Sequence, residues 1–219
     1  MSNQSEPKLA PPGAGLPVLE LFIGRLLFAW QRRTGHRDVF SARFQQERER
    51  IRGLVQSSDE ESRGRRMLIR RVRGLEDSSR YWSVWMTLDH LRIVHQAISG
   101  VIESLATGVV PAGQASTADV KPSAQAGATV VADYERSCDA LLEAATAAEN
   151  SDPSLRYNHP WFGPLDAAGW HAMAAVHIGI HRIQIERIIV EQKKSSDPGE
   201  AAGFLRARSS VRPSLRSRP

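Results

Sequence analysis

The sequence has little of several features that mark particular protein classes. Only one of its 219 residues, Cys138, is a cysteine, which excludes an intrachain disulfide and a cysteine-rich zinc site and favours a reducing, cytoplasmic setting. No run of about 20 apolar residues is present, since the most apolar early stretch, residues 16–30, is interrupted by Glu20 and Arg25. Residues 1–15 also lack the charged-then-apolar layout of a signal peptide. The sequence therefore predicts no membrane association.

The excess positive charge is confined to the C-terminal end. The formal net charge is +5, and residues 193–219 alone hold seven basic and two acidic groups. Residues 1–192 carry equal numbers of both signs, 22 each. Residues 43–73 are rich in arginine, but this stretch lacks the regularly interleaved aromatic residues that stack on bases. We therefore expect an exposed helical surface there and do not expect nucleic-acid binding by the folded part.

Apolar residues at spacings of three and four predict helices along most of the chain. Residues 58–61 have the capping-box layout, and Ser83 and Asp166 are predicted N-caps. The predicted helices cover residues 18–33, 38–55, 58–74, 83–108, 128–149 and 166–192. No pair of alternating strand-like runs brackets a hairpin turn, so the sequence predicts an all-α fold, most simply a helical bundle.

Four segments are expected along the chain. The polar, Pro/Gly-rich residues 1–15 are predicted to be disordered, and residues 16–57 to form N-terminal helices that pack on the bundle. The bundle itself is expected over residues 58–192, followed by a basic disordered tail over residues 193–219. Inside the bundle, residues 109–127 and 150–165 are predicted loops.

Two histidines of the last predicted helix share one face. His177 and His181 are four residues apart, a spacing that lets both bind a single metal ion, and Gln184 lies close to the same face. A catalytic zinc site usually takes three protein ligands, so a third histidine is expected from another helix. On the 83–108 helix, the apolar pattern turns His90 inward and leaves His95 at the boundary of the apolar face.

Other histidine and cysteine interpretations remain open. A histidine pair alone is more often a pair of core residues bonded to carbonyls, and Ile178 after His177 excludes the His-Glu-x-x-His metalloprotease motif. Three inward histidines on two helices favour a metal site. His159 either lines the pocket from its loop or bonds the backbone and fixes that loop. Cys138 is expected to be an inert core residue.

Two sequence stretches resemble the DinB/YfiT-like metal-binding helical bundles. The first combines Trp82-Ser83-Val84 with Leu88-Asp89-His90-Leu91. The second stretch resembles an uncharacterised DinB-like subgroup and consists of His159-Pro160-Trp161-Phe162-Gly163, Leu165, Trp170, His177, His181 and Gln184. Taken together, the resemblance covers roughly residues 60–192. The resemblance implies a DinB-like four-helix bundle that carries one divalent metal ion on His90, His177 and His181.

Three functions are compatible with this pattern. The first is a metal-dependent enzyme that activates water or a low-molecular-weight thiol, because characterised members of the family include thiol S-transferases and related isomerases while others are described as hydrolases. The expected metal is zinc or nickel, and the expected substrate is a small molecule. Whether the chain forms a homodimer is left open by the sequence. No general acid or base is assigned; His95 and His159, which with Gln184 are expected near the metal or in its pocket, are the residues to test for that role. The second function is a non-catalytic metal-binding or structural protein, and the third is nucleic-acid binding through the Arg-rich segments.

Overall fold

The computed structural model of the protein describes residues 6–196, and most of them are helical. The five helices are α1 Val18–Thr34, α2 Arg37–Ser57, α3 Val84–Ala106, α4 Val130–Ala147 and α5 Ala167–Ser196. Two short antiparallel ribbons join them: β1 Met67–Leu68 with β2 Tyr81–Trp82, and β3 Tyr157–His159 with β4 Gly163–Leu165.

Four of the helices form a bundle around one apolar core. Helix α3 packs against α4 and α5, and α2 packs against α5. Each helix contributes fully buried side chains, which include Phe44, Ile51, Leu88, Leu91, Ile102, Tyr134, Leu141, Ile178 and Ile185. The predicted all-α four-helix bundle is confirmed. Because α2 is one of its helices, the bundle extends N-terminally beyond the expected start at residue 58.

The helix predicted over residues 58–74 is wrong. Asp59 does cap a first turn by accepting a hydrogen bond from the Ser62 amide, but the turn is a short 3-10 helix, Glu61–Gly64. The chain then becomes extended, and Met67 pairs with Trp82 across the β1–β2 ribbon. Residues 69–72 have no regular secondary structure, and Ile69 and Val72 enter the core while Arg70 is exposed, so tertiary burial overrides the local helix signal.

The other predicted boundaries are close to those observed. The Ser83 hydroxyl accepts a hydrogen bond from the Met86 amide, and Asp166 accepts one from the Gly169 amide, as expected for N-caps. Residues 109–127 contain no helix or strand. The predicted loop over 150–165, by contrast, contains the β3–β4 ribbon, whose strand pairing was not expected.

The N-terminal segment is better ordered than its composition suggested. The amides of Ala10 and Gly15 donate to the carboxylates of Asp77 and Glu76, so this part of the predicted disordered segment is attached to the bundle. Residues 1–5 and 197–219 lie outside the described residues. The second of these ranges makes up most of the predicted basic tail, 193–219. No helix within 6–196 has an apolar stretch long enough to cross a membrane.

The apolar face from which helix α1 was predicted is not buried. Phe28 is its one buried residue, and the apolar side chains on the opposite side are exposed.

Candidate metal centre

Three histidines from two helices converge at the interior of the bundle. His90 comes from α3, whereas His177 and His181 stand one turn apart on α5. The Nε2 atom of His177 lies 3.3 Å from Nε2 of His90 and 3.1 Å from Nε2 of His181. One ligand atom from each residue lies within 4.8 Å of the others, so the three could hold a single ion.

A backbone carbonyl sets the orientation of His90. Its Nδ1 atom lies 2.6 Å from the carbonyl oxygen of Val120, in the loop between α3 and α4. A carbonyl oxygen can only accept, so Nδ1 carries the proton and donates. In the neutral ring, Nε2 then holds a lone pair that points toward the other two histidines.

Gln184 sets the orientation of His181 in the same way. Its Nε2 group donates to the carbonyl oxygen of Ser79 at 2.7 Å, which fixes the amide and turns its Oε1 toward His181. Nδ1 of His181 lies 2.7 Å from that oxygen and therefore donates to it. The Nε2 atom of His181 thus also presents a lone pair to the cluster.

The arrangement of nitrogens suits a cation. The lone pairs of His90 and His181 both face Nε2 of His177. A single N–H on His177 can point directly at only one of them, so hydrogen bonding alone leaves the other lone pair without a partner. Among the described residues, Nδ1 of His177 has no hydrogen-bond partner. Nitrogens around a tetrahedral zinc ion at about 2.0–2.1 Å lie about 3.3 Å apart, which matches the observed spacings of 3.3 and 3.1 Å. The three side chains therefore fit a divalent metal ion.

Burial keeps these imidazoles in the neutral form that metal binding needs. It lowers the pKa of His90 to about 4, because the charged ring would lose its hydration. Burial, and then the neighbouring histidines, hold the pKa values of His177 and His181 well below their usual range. Lone pairs are thus available at neutral pH without competition from protons.

A small cavity of about 140 Å³ opens beside the cluster. Its walls are mostly apolar and aromatic, and they include Val94, Ile98, Trp170 and Met173 together with the three histidines. Trp82 closes one side, its ring stacked at 9° to that of His181. A molecule that entered this cavity would meet the three histidines in a largely apolar surrounding.

His159 has both of the roles that its sequence position left open. It lines the cavity, and its Nδ1 atom accepts hydrogen bonds from the amides of Trp161 and Phe162 at 3.1 and 3.3 Å. Burial lowers its pKa to about 4, so the ring is neutral and its proton lies on Nε2. His159 therefore fixes the β3–β4 turn and keeps its one N–H for other contacts.

His95 is not the boundary residue that the sequence predicted. It is fully buried, because α4 covers the side of α3 on which it lies, and its Nδ1 atom is 3.2 Å from the Ser137 hydroxyl. It does not line the cavity beside the histidine cluster. Cys138 lies next to it, and burial raises the pKa of this thiol to about 12, as expected for an inert core residue.

Sequence reasoning identified the three clustered histidines and Gln184 but missed what orients them. The partners are the carbonyl oxygens of Val120 and Ser79. Every residue has a carbonyl oxygen, so no residue type marks these two positions. The position of Trp82 against His181 was likewise not predicted, although this tryptophan belongs to the first family-like stretch.

Comparison with known proteins gives a family. The family model of the DinB superfamily matches residues 43–185. A comparison with curated proteins found no match. Among solved structures, TT2238, described as a four-helix bundle protein, is 20% identical with a TM-score of 0.49, and the similarity covers 69% of this chain and 98% of that one. Because the family model spans most of the bundle, the chain belongs to the DinB superfamily.

Proposed function

We propose that the protein is a metal-dependent enzyme in which His90, His177 and His181 hold one divalent metal ion. The observation that carries this proposal is the convergence of three Nε2 atoms, two of them with lone pairs fixed by hydrogen bonds at Nδ1. Zinc or nickel is the metal we expect, because imidazole nitrogens suit both.

The bound metal would lower the pKa of a water or thiol in its vicinity enough to give a nucleophile at neutral pH. The chain's own residues would do the rest. Val120 and Gln184 hold the imidazoles in place, and the apolar wall formed by residues such as Trp170 and Met173 limits the access of bulk water. His159 offers its Nε2–H to a substrate group in the cavity, as a hydrogen-bond donor.

A small molecule is the substrate that the cavity favours. Its volume of about 140 Å³ is close to that of an engineered cavity that admits benzene, so the group that enters it is about the size of benzene. Hydrolysis by water and transfer to a low-molecular-weight thiol both remain within this proposal. The single, buried cysteine agrees with a cytoplasmic setting.

Nucleic-acid binding is less well supported, because many of the arginines over residues 43–73 are already engaged. Arg48 binds Glu135 and Asp139, and Arg52 binds Glu49 and Glu135. Arginines that neutralise carboxylates contribute little to the binding of phosphates.

Metal analysis of the purified protein tests the site. We expect one equivalent of metal in the wild type and almost none in His90→Ala and His177→Ala. His171→Ala is the matched control, because it removes a buried imidazole from the same helix as His177 but outside the cluster. Equal metal content in all four proteins would refute the site.

A second measurement separates an enzyme from a non-catalytic metal protein. The metal-loaded protein is assayed with a panel of small esters, amides and electrophiles, with and without low-molecular-weight thiols. Turnover that disappears in His177→Ala and persists in His171→Ala supports the enzyme. Full metal loading without turnover on any member of the panel favours the non-catalytic alternative.

A further inference from the structure

Helix α1 presents a continuous apolar surface to solvent. Seven large side chains lie within half of the helix circumference, at 100° per residue, and each is about half exposed or more. Val18 is 86% exposed and Trp30, near the other end, is 63% exposed. We call this surface the α1 face; its members are Val18, Leu19, Phe22, Ile23, Leu26, Leu27 and Trp30.

The opposite, more polar side of α1 is the side that contacts the rest of the protein. Glu20 binds Arg71 and accepts a hydrogen bond from the Gly74 amide at 2.7 Å. Arg32 binds Asp166 at 2.7 Å. An amphipathic helix normally buries its apolar stripe and exposes its charges, and α1 does the reverse. Its inward side is occupied, and nothing within residues 6–196 covers the α1 face, which leaves this face available to a partner.

We propose that the α1 face joins two copies of this chain. Its exposed apolar area is on the order of 800 Å² per copy, which is what each partner contributes to an interface of standard size. None of its seven residues is charged, and the one charged residue on the same half of the helix, Arg33, lies in the last turn, so an antiparallel pair of these faces keeps the two Arg33 side chains apart. In a two-fold dimer the same patch packs against itself, which suits a neutral apolar helix pair.

A membrane surface fits this helix less well. Helices that lie on membranes carry lysines and arginines on a polar face that remains available to lipid headgroups. The Arg25 side chain of α1 instead donates to the Trp161 carbonyl at 2.6 Å, and Arg32 is held by Asp166. Two of the three arginines of α1 are thus directed toward the protein, which leaves the exposed Arg33 as the one available to lipid headgroups.

The dimer would also brace the candidate metal centre. Arg25 holds the backbone of Trp161, and the Phe28 ring packs 4.7 Å from that of Phe162. Both contacts fix the β3–β4 turn, which positions His159 at the cavity. Pairing of two α1 helices would therefore reduce the motion of one cavity wall in each copy.

Sedimentation equilibrium of the full chain tests the dimer. We expect the wild type to dimerise, and Leu26→Glu and Leu19→Glu each to raise the dissociation constant by more than about tenfold, because each buries a carboxylate in the interface. Val190→Glu is the matched control, since Val190 is an apolar residue of α5 that is 49% exposed outside the α1 face. Circular dichroism of each variant checks that the helices are intact.

A wild type that stays monomeric up to about 0.1 mM would overturn the proposal. So would dimers of Leu26→Glu and Leu19→Glu as stable as those of the wild type. A monomer that binds vesicles of anionic phospholipid, and loses this binding in Leu26→Glu, would instead assign the α1 face to a membrane surface.

Discussion

The side-chain oxygen of Gln184 lies 2.7 Å from Nδ1 of His181, less than one helical turn earlier on α5. Because the Gln184 amide also donates to the Ser79 carbonyl, it cannot rotate without losing a buried hydrogen bond. The lone pair of His181 therefore points into the histidine cluster before any ligand arrives.

Replacing Gln184 by leucine should weaken metal binding without removing a ligand. We expect Gln184→Leu to lower metal affinity about 10–100-fold, the usual effect of losing a hydrogen bond to a metal-binding histidine. Competition with a chelator measures this. Gln192→Leu is the control, because Gln192 is also buried on α5 but donates to the carbonyls of Ser62 and Arg65. Equal affinities in the two variants would show that Gln184 does not position His181.

Asp166 should stabilise α5 mainly as its N-cap. Its Oδ1 atom accepts from the Gly169 amide at 2.7 Å and also binds Arg32. We expect Asp166→Ala to lower the free energy of unfolding by about 1–2 kcal/mol, and Asp166→Asn to lower it less, because asparagine retains a capping oxygen. Urea unfolding measures both. Equal losses would mean that the charge pairing with Arg32, and not the cap, is what counts.

Replacing Gly74 and Gly108 by alanine distinguishes the cost of backbone strain from the cost of a steric clash. Both have positive φ, +82° and +85°, where any side chain costs about 1–2 kcal/mol. A Cβ at Gly74 would lie 2.7 Å from Cδ1 of Ile180, whereas a Cβ at Gly108 would meet nothing within 4 Å. Thermal unfolding should therefore show a larger loss for Gly74→Ala than for Gly108→Ala. Equal losses at the two positions would mean that Ile180 moves aside at no cost.

Stability should fall in mild acid because of buried neutral histidines. Burial, with a contribution from Arg37, lowers the pKa of His171 to about 4, whereas the same ring has a pKa near 6.5 in the unfolded chain. Below about pH 6.5 the unfolded chain binds the proton and the folded chain does not, so stability is complete above that pH and is lost toward pH 4.

His171→Asn should remove about 2 kcal/mol from the difference in unfolding free energy between pH 7 and pH 5. Urea unfolding at both pH values, with a chelator present throughout, measures the change. His36→Asn is the control, because it removes an imidazole at an exposed position. An unchanged pH dependence in His171→Asn would place the acid sensitivity in other residues.

The parts of the fold that follow a strong helical period could be predicted from sequence. The caps at Ser83 and Asp166 and the inward direction of His90 all depend on local patterns, and the structure has them where expected. The same period over residues 18–33 correctly predicted a helix but not which side of it faces the protein. Periodicity shows that a helix has two sides, whereas the contacts of Glu20 and Arg32 with distant residues decide their direction.

What could not be predicted depends on residues far apart in the chain. Residues 67–68 form a strand because β1 pairs with β2, a contact that the capping box at 58–61 cannot reveal. His95 is buried because α4, some 40 residues later, covers it. The orientation of His90 likewise depends on the conformation of the loop that carries Val120, which has no regular period.

The position of the histidines along the chain fixes when the site can form. Two of the three come from α5, the last described helix, and His177 follows His90 by 87 residues. A growing chain on the ribosome has no complete site until α5 has been synthesised and has packed against α3. Under the proposed function, metal binding would therefore follow assembly of the bundle, and a chain stalled before residue 177 would have one of the three histidines and no site.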